Sequence, residues 1–397
     1  MVKISVPDDV EKIIEILERN GFEAYIVGGC VRDSLMGRLP KDWDITTSAS
    51  PQEVKQCFRR TIDTGIAHGT VTVMMGQTGY EVTTYRLDGE YTDSRHPSSV
   101  TFTRALSEDL KRRDFTINAM AYNEAAGLAD LFGGMEDLEN GLIRAVGDPA
   151  ERFSEDALRI MRAVRFSAQL DFTIEENTLA AAAALSSNLE KISKERIREE
   201  LVKTLESAHP ERTALFEDIG AMPWIFPAFG RRRQERLKKL SEMPPDRLLR
   251  LAAFLEGCTK EEAETVLREL KFDNDTLKRT AALIEYGAKE ISPDETAVRK
   301  LLSSFGTEDI ERLLLFSGHE ELEPVVKRIL TRGDCISLKT LALGGRELGE
   351  LGLKPGKTMG EILKALLERV LEDPGLNSEE KLTPIARELI KKTEERK

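Results

Sequence analysis

A change of texture at Ser154 constrains the fold of this chain more than any other feature. Before it, short runs rich in β-branched residues alternate with helical patterns. After it strand signals fade, and helical periodicity recurs to the C-terminus. Segregation of this kind predicts an α+β protein, a small mixed sheet at the N-terminal end followed by all-α domains. The length of 397 residues suits roughly two to four domains. The texture itself marks the change at Ser154 and a last part from Gly344 to Lys397.

Within the first segment, Val10, Ile13, Ile14 and Leu17 predict a helix over Asp8 to Asn20. An apolar strand, Ala24 to Val27, then runs into Gly28 and Gly29, where missing β-carbons let backbone approach a phosphate. Arg32 and Asp33 follow on a short helix ended by Gly37. A second strand is expected to carry Asp42 and Asp44, whose spacing of two places both carboxylates on one sheet face. Ser50-Pro51-Gln52-Glu53 reads as a capping box. Val71 to Met75 and Glu81 to Arg86 read as a hairpin joined by Gly76-Gln77-Thr78-Gly79, and Leu87 to Ser99 as a mobile loop. The helical half shows no fixed-period repeat and is broken at Pro and Gly joints, so an irregular helical array is expected.

Three constellations carry chemistry. Asp42 and Asp44 offer two hard oxygen ligands side by side, as a pair of Mg²⁺ ions requires, and Glu81 is a candidate third carboxylate. With the Gly28-Gly29 turn and Arg32 upstream, a phosphate cradle and a metal anchor share one supersecondary unit. Lys111-Arg112-Arg113-Asp114 runs into apolar Phe115 and Ile117, which holds it near the core. An Arg in this run, with its fork of donors, suits a triphosphate or ribose, and Asn118 is a candidate to join it. The third constellation is a helix from Ser154, SEDALRIMRAVRF, where Asp156, Arg159 and Arg162 recur every three residues and Arg165 lies further round. Two readings stay open there: a ladder of salt bridges, or an Asp acceptor and an Arg donor that together read a nucleobase edge.

The net charge of −12 argues against indiscriminate nucleic-acid binding, and the basic run RRRQERLKK at Arg231 to Lys239 reads as a solvated helix face. Four scattered cysteines without a CxxC pair fit a reducing compartment with no structural zinc. No apolar run approaches a membrane span and no signal core opens the chain, so a cytoplasmic, membrane-free protein is expected.

Gly28-Gly29-x-x-Arg32-Asp33 with Asp42-x-Asp44, then Arg112-Arg113-Asp114-Phe115-Thr116, then Glu155-Asp156-x-x-Arg159 resemble, in this order, the first, second and fourth motifs of the class II tRNA nucleotidyltransferases. That family comprises the CCA-adding enzymes and their bacterial poly(A) polymerase relatives. The likeness covers roughly residues 1–230 by motif and, more loosely, Gly344 to Leu382. It implies a polymerase-beta-like nucleotidyltransferase head followed by helical neck, body and tail domains that hold a tRNA acceptor end. Carried over, Asp42 and Asp44 are the catalytic residues and bind Mg²⁺; Gly28, Gly29, Arg32, Arg113, Asp114 and Asn118 belong to the nucleotide site. Asp156 and Arg159 act as a protein template for C or A, supported by Arg162 and Arg165. The implied reaction adds C, C and A to tRNA from CTP and ATP, releasing pyrophosphate. No protein partner is implied, and monomer or homodimer stays open. In family terms the loop Leu87 to Ser99 is similar to that of full CCA enzymes.

Three alternatives compete. One is a relative that adds only A, or a poly(A) polymerase. Another is an aspartate-nucleophile phosphatase, since Asp42-Trp43-Asp44-Ile45-Thr46 fits DxDxT. That motif needs an apolar strand directly before its first Asp, where Arg38-Leu39-Pro40-Lys41 stands instead. The third is a helical RNA-binding protein with an inactive head.

Overall fold

In a computed structural model the described residues are 3–88, 100–226 and 233–394. Most of the expected mobile loop, and Arg231 and Arg232 of the basic run, lie outside them. The chain forms two compact units, Met1–Arg250 with Glu269–Phe272, and Leu251–Arg268 with Asp273–Lys397.

The first unit opens with α1 (Asp8–Arg19), β1 (Ala24–Val27), α2 (Gly29–Leu35), β2 (Ile45–Thr47) and α3 (Pro51–Cys57). Next come β3 (Thr61–Gly65), β4 (Thr70–Met75), β5 (Thr78–Thr84), the ribbon β6 (Arg86–Asp88) with β7 (Val100–Phe102), and α4 (Leu106–Lys111). The head closes with β8 (Met120–Asn123), β9 (Gly127–Asp130), α5 (Gly134–Glu139) and β10 (Leu142–Ile143). Seven strands make one sheet in the order β3-β4-β5-β2-β1-β8-β9. It is mixed as expected: β2 and β5 are parallel, with Ile45 opposite Val82, while its other pairs are antiparallel.

Strand alternation gives the sheet two chemically different faces. Ala24, Ile26 and Ile45 enter the main core with Val10, Ile13 and Leu17 of α1, Val54 of α3, and Val71, Val73 and Val82. Each Val, Ile or Leu among them contributes about 1.5–3 kcal/mol when fully buried. Val27 turns the other way, onto a small cluster with Leu110 and Ala121. Thr46, next to core residue Ile45, also points there, and its Oγ1 donates to Asp109 at 3.1 Å. The site is built on that second face.

Two expectations are corrected. The hairpin turn is only Gly76-Gln77, because Met75 pairs directly with Thr78 and Gly76 takes the left-handed backbone (φ +62°) a two-residue turn requires. The strand after the first aspartate begins at Ile45, so Asp42 and Asp44 lie in the segment leading into β2. Pairing with β1 is already under way there, since Val27 N donates to Asp44 O at 3.0 Å.

From residue 149 the only strand among the described residues is β11 (Thr173–Ile174), which pairs in parallel with β10; the other elements there are helices. The helices that matter for the site are α6 (Pro149–Glu155), α7 (Leu158–Leu170), α8 (Glu176–Leu185) and α9 (Lys194–Leu205). The second unit is helical among its described residues, with a core around Leu343, Leu348, Leu366, Val370 and Leu382. In it Arg299, almost fully buried, donates through Nε to the carbonyl of Leu371 at 2.8 Å, satisfying the end of the helix Lys357–Glu372. Among the described residues no helix is long and apolar enough to cross a membrane.

Candidate active site

The turn between β1 and α2 is set by Gly28, whose φ of +80° and ψ of −126° suit glycine alone. Its bare α-carbon also makes room for Arg113, since a Cβ there would fall 2.9 Å from Arg113 Nη1. Arg113 is steered from below by Asp109, which is fully buried on α4 and accepts from Arg112 at 2.7 and 3.0 Å, from Thr46, and weakly from Arg113 Nη2 at 3.4 Å. Burial would raise the Asp109 carboxyl, but the Arg112 and Arg113 charges outweigh it and hold it below the usual range. Arg113 Nε is buried and finds no partner among the described residues, as expected of a donor waiting for an acceptor. Gly28→Ala is expected to cost about 1–3 kcal/mol of backbone strain. It also displaces Arg113, so thermal unfolding falls by a few degrees and the nucleotide KM rises by more than that strain explains.

Asp42 and Asp44 are both exposed beside this turn. Crowding by protein raises the Asp44 carboxyl; the Arg113 guanidinium pulls it down and the like charge of Asp42 pushes it up again. The two carboxylates and Arg113 therefore share one electrostatic site. Glu81, exposed on β5, does not complete a trio: among the described residues no three His, Cys, Asp or Glu side chains gather as a metal site. Beneath them Cys30 donates its thiol toward the Val27 carbonyl at 3.4 Å, and burial pushes that thiol up to about 11, so it is packing and not a nucleophile.

A buried polar chain ties the turn to α7. Arg32 Nη1 donates to Asn118 Oδ1 at 2.7 Å, and Asn118 Nδ2 donates to Asp114 Oδ1 at 3.2 Å. Asp114 also accepts from Phe115 N at 2.8 Å and, through Oδ2, from Arg162 Nε at 2.7 Å and Nη2 at 2.6 Å. Burial alone would raise the Asp114 carboxyl, yet the charge and hydrogen bond of Arg162, then Arg159 and Asn118, bring it down to about 2. Arg32, Arg162 and Arg165 sit 5.1, 5.3 and 4.1 Å from the centre of the Phe166 ring, whose edge meets Phe115.

The expected single helix from Ser154 is interrupted. Asp156 is extended (φ −140°, ψ 101°) between α6 and α7 because its side chain accepts from Leu158 N at 3.0 Å, the local bonding that draws Asp out of helix interiors. Asp156, Arg159 and Arg162 thus do not form one helical row. Asp156 pairs with Arg196 of α9, while Arg159 bonds Glu155 at 2.7 Å and the Arg112 carbonyl at 2.9 Å. Arg165 is held by Glu200, also of α9, at 2.5 Å. Asp109, Arg196 and Glu200 were absent from the residues picked out in the sequence. Asp109 had a local signal, standing three and four residues before Arg112 and Arg113; Arg196 and Glu200 had only their mutual i,i+4 spacing.

Comparison with known proteins agrees with this architecture. Residues 24–144 match the profile described as Poly A polymerase head domain, 171–232 that of a probable RNA and SrmB-binding site of polymerase A, and 249–386 tRNA nucleotidyltransferase domain 2. The CCA-adding enzyme of Enterococcus faecalis is 39% identical over 403 residues, covering 98% of each chain. That of Ligilactobacillus salivarius is 39% identical over 416 residues, covering 98% of this chain and 99% of the relative. Among solved structures, the Bacillus stearothermophilus CCA-adding enzyme in complex with CTP superposes with a TM-score of 0.79 at 32% identity, covering 97% of each chain. With head sheet and helical remainder in accord, the chain belongs to the CCA-adding enzyme family.

Proposed function

We propose that this protein adds C, C and A to the 3′ end of tRNA, using CTP and ATP as substrates and no nucleic-acid template. The observation that carries the reading is the buried chain from Arg32 through Asn118 and Asp114 to Arg162. It ties the helix that follows the Gly28 turn to α7 in one rigid arrangement, beside which the exposed carboxylates lie. In the reaction the tRNA 3′-oxygen bonds to the α-phosphorus as the bond from that phosphorus to the bridging oxygen breaks, and pyrophosphate leaves.

The donor set fits Mg²⁺, which is commonly held by one or two carboxylates together with substrate phosphates instead of an all-protein cage. Asp42 and Asp44 are two exposed hard-oxygen donors in mutual electrostatic reach. When bound, the metal neutralises phosphate charge and lowers the pKa of the attacking hydroxyl. The protein's own residues do the positioning. Gly28 leaves room for Arg113, Gly29 carries no Cβ to block a phosphate, Arg113 offers its partly exposed guanidinium, and Arg32, Asp114 and Asn118 keep the cradle from moving. Arg162 and Arg165 support the base-reading end. Asp156 and Arg159 are assigned to reading the base edge; they are not spent on one another but are held by separate partners, Asp156 by Arg196 and Arg159 by Glu155 and the carbonyls of Arg152 and Arg112. The four-part division into head (1–150), neck (151–225), body (226–335) and tail (336–397), and a cytoplasmic setting, belong to the same reading.

The test uses a tRNA ending before CCA. CTP alone is expected to yield two added C residues, and CTP with ATP one complete CCA, read by sequencing the product. Failure to incorporate CTP would leave an A-adding or poly(A)-forming relative and sink the full CCA assignment.

A further inference from the structure

Helix α9 meets the base-reading region with two charges four residues apart. Glu200 closes onto Arg165 in a pair whose side chains are only 5% and 11% exposed. Arg196 forks onto Asp156, Nη1 to Oδ1 at 3.3 Å and Nη2 to Oδ2 at 2.7 Å, in a more open setting with side chains 22% and 17% exposed. Asp156 Oδ1 additionally takes the Leu158 amide. Counting lone pairs, Oδ1 is fully used and Oδ2 keeps one acceptor position.

We propose that Arg196 is a specificity-determining positioning residue, which aims that one remaining acceptor of Asp156 at the exocyclic group of the incoming base. The inference rests on Asp156 being a base reader. Cytosine N4 and adenine N6 are amine donors, whereas the corresponding positions of uracil and guanine are carbonyl acceptors. A carboxylate with a single, fixed acceptor direction bonds the first two and repels the others. Two further cations are close enough to draw Asp156 away if Arg196 lets go: Arg159 on the first turn of α7, and Arg162, within electrostatic reach of it. Glu155 beside them already occupies Arg159. The guanidinium fork is what the position requires, because a lysine supplies the charge without two parallel bonds.

The full-length protein is assayed on tRNA ending before CCA, with kcat and KM measured separately for CTP and UTP. Arg196→Met is expected to narrow the preference for CTP over UTP by about tenfold or more, the scale of one well-placed base contact. The change falls on kcat/KM for CTP. Arg196→Lys, which keeps the charge and the packing, is expected to fall between wild type and Arg196→Met. If Arg196→Met lowers incorporation of both nucleotides in the same proportion, the residue only supports the fold and the proposal is overturned. Asp156→Ala separates the two layers. If it erases the preference while Arg196→Met retains it, the role of Arg196 fails alone; if it too retains the preference, base reading by Asp156 fails and this proposal with it.

Discussion

Asp44→Ala is expected to reduce nucleotide incorporation on the order of 10³-fold or more, without loss of folded protein. On the proposed role of Asp42 and Asp44 as a metal-anchoring pair, removing one carboxylate forfeits several kcal/mol of charge stabilisation at the transition state. The fold does not depend on that side chain. What β2 needs from position 44 is its backbone carbonyl, which accepts from Val27 N, and the neighbouring Ile45 in the core; alanine preserves both. Relief of repulsion from Asp42 leaves thermal unfolding unchanged or slightly raised, the usual direction when a functional charge cluster is dismantled. Single-turnover incorporation of CTP, alongside thermal unfolding of the same preparation, separates these outcomes. Activity within tenfold of wild type would remove Asp44 from the catalytic centre.

Asp114→Ala is expected to act through stability as well as activity. The carboxylate accepts from Arg162, Asn118 and the Phe115 amide while only 9% exposed, so alanine strands three donors at once. Breaking a buried pair in this way costs about 3–5 kcal/mol; with the Arg162 side chain 34% exposed, water recovers part of it and about 2–3 kcal/mol is expected here. Asp114→Asn, which keeps the shape and loses the charge, tests the pH dependence. The folded-state value is depressed to about 2 from the ordinary aspartate value of 3.8. The charge therefore stabilises fully above the unfolded value, and that contribution is lost as pH falls through the folded one. Wild type should exceed Asp114→Asn by about 2 kcal/mol near neutrality, a gap that closes between roughly pH 4 and pH 2. A gap independent of pH would show that shape, and not charge, is what Asp114 supplies.

What could be seen in the sequence and what could not divide along one physical line. Local chemistry was legible: the apolar stripe of α1, the strand running into Gly28, and the Ser50 capping box, which the structure shows closed in both directions. These signals act over a few residues, where spacing and propensity speak directly. The break at Asp156 was also local, but three arginines at helical spacing outweighed the capping habit of one aspartate. Arg196 and Glu200 lie some forty residues from the charges they hold, and no periodicity links them. Their partnership exists only because α9 packs on α7. The main-core residues at alternate positions of β1 and β2 predict which face is apolar, but the opposite face becomes a site only through Asp109 and Asn118, delivered by other elements.

The strand order has a consequence for how this protein comes off the ribosome. Central strand β1 has β2 on one side and β8 on the other, so its second edge stays unpaired until Asn123 has been made. At roughly 5–20 residues per second, the interval from Val27 to Asn123 lasts on the order of 5–20 s. Throughout it the nascent chain carries an apolar strand with an open edge, and for most of it a glycine turn whose Arg113 has yet to arrive. The window for misassembly is therefore longest for the stretch that chemistry can least spare, and a holdase that shields short apolar strands would be of most use to this enzyme before its first hundred or so residues are complete.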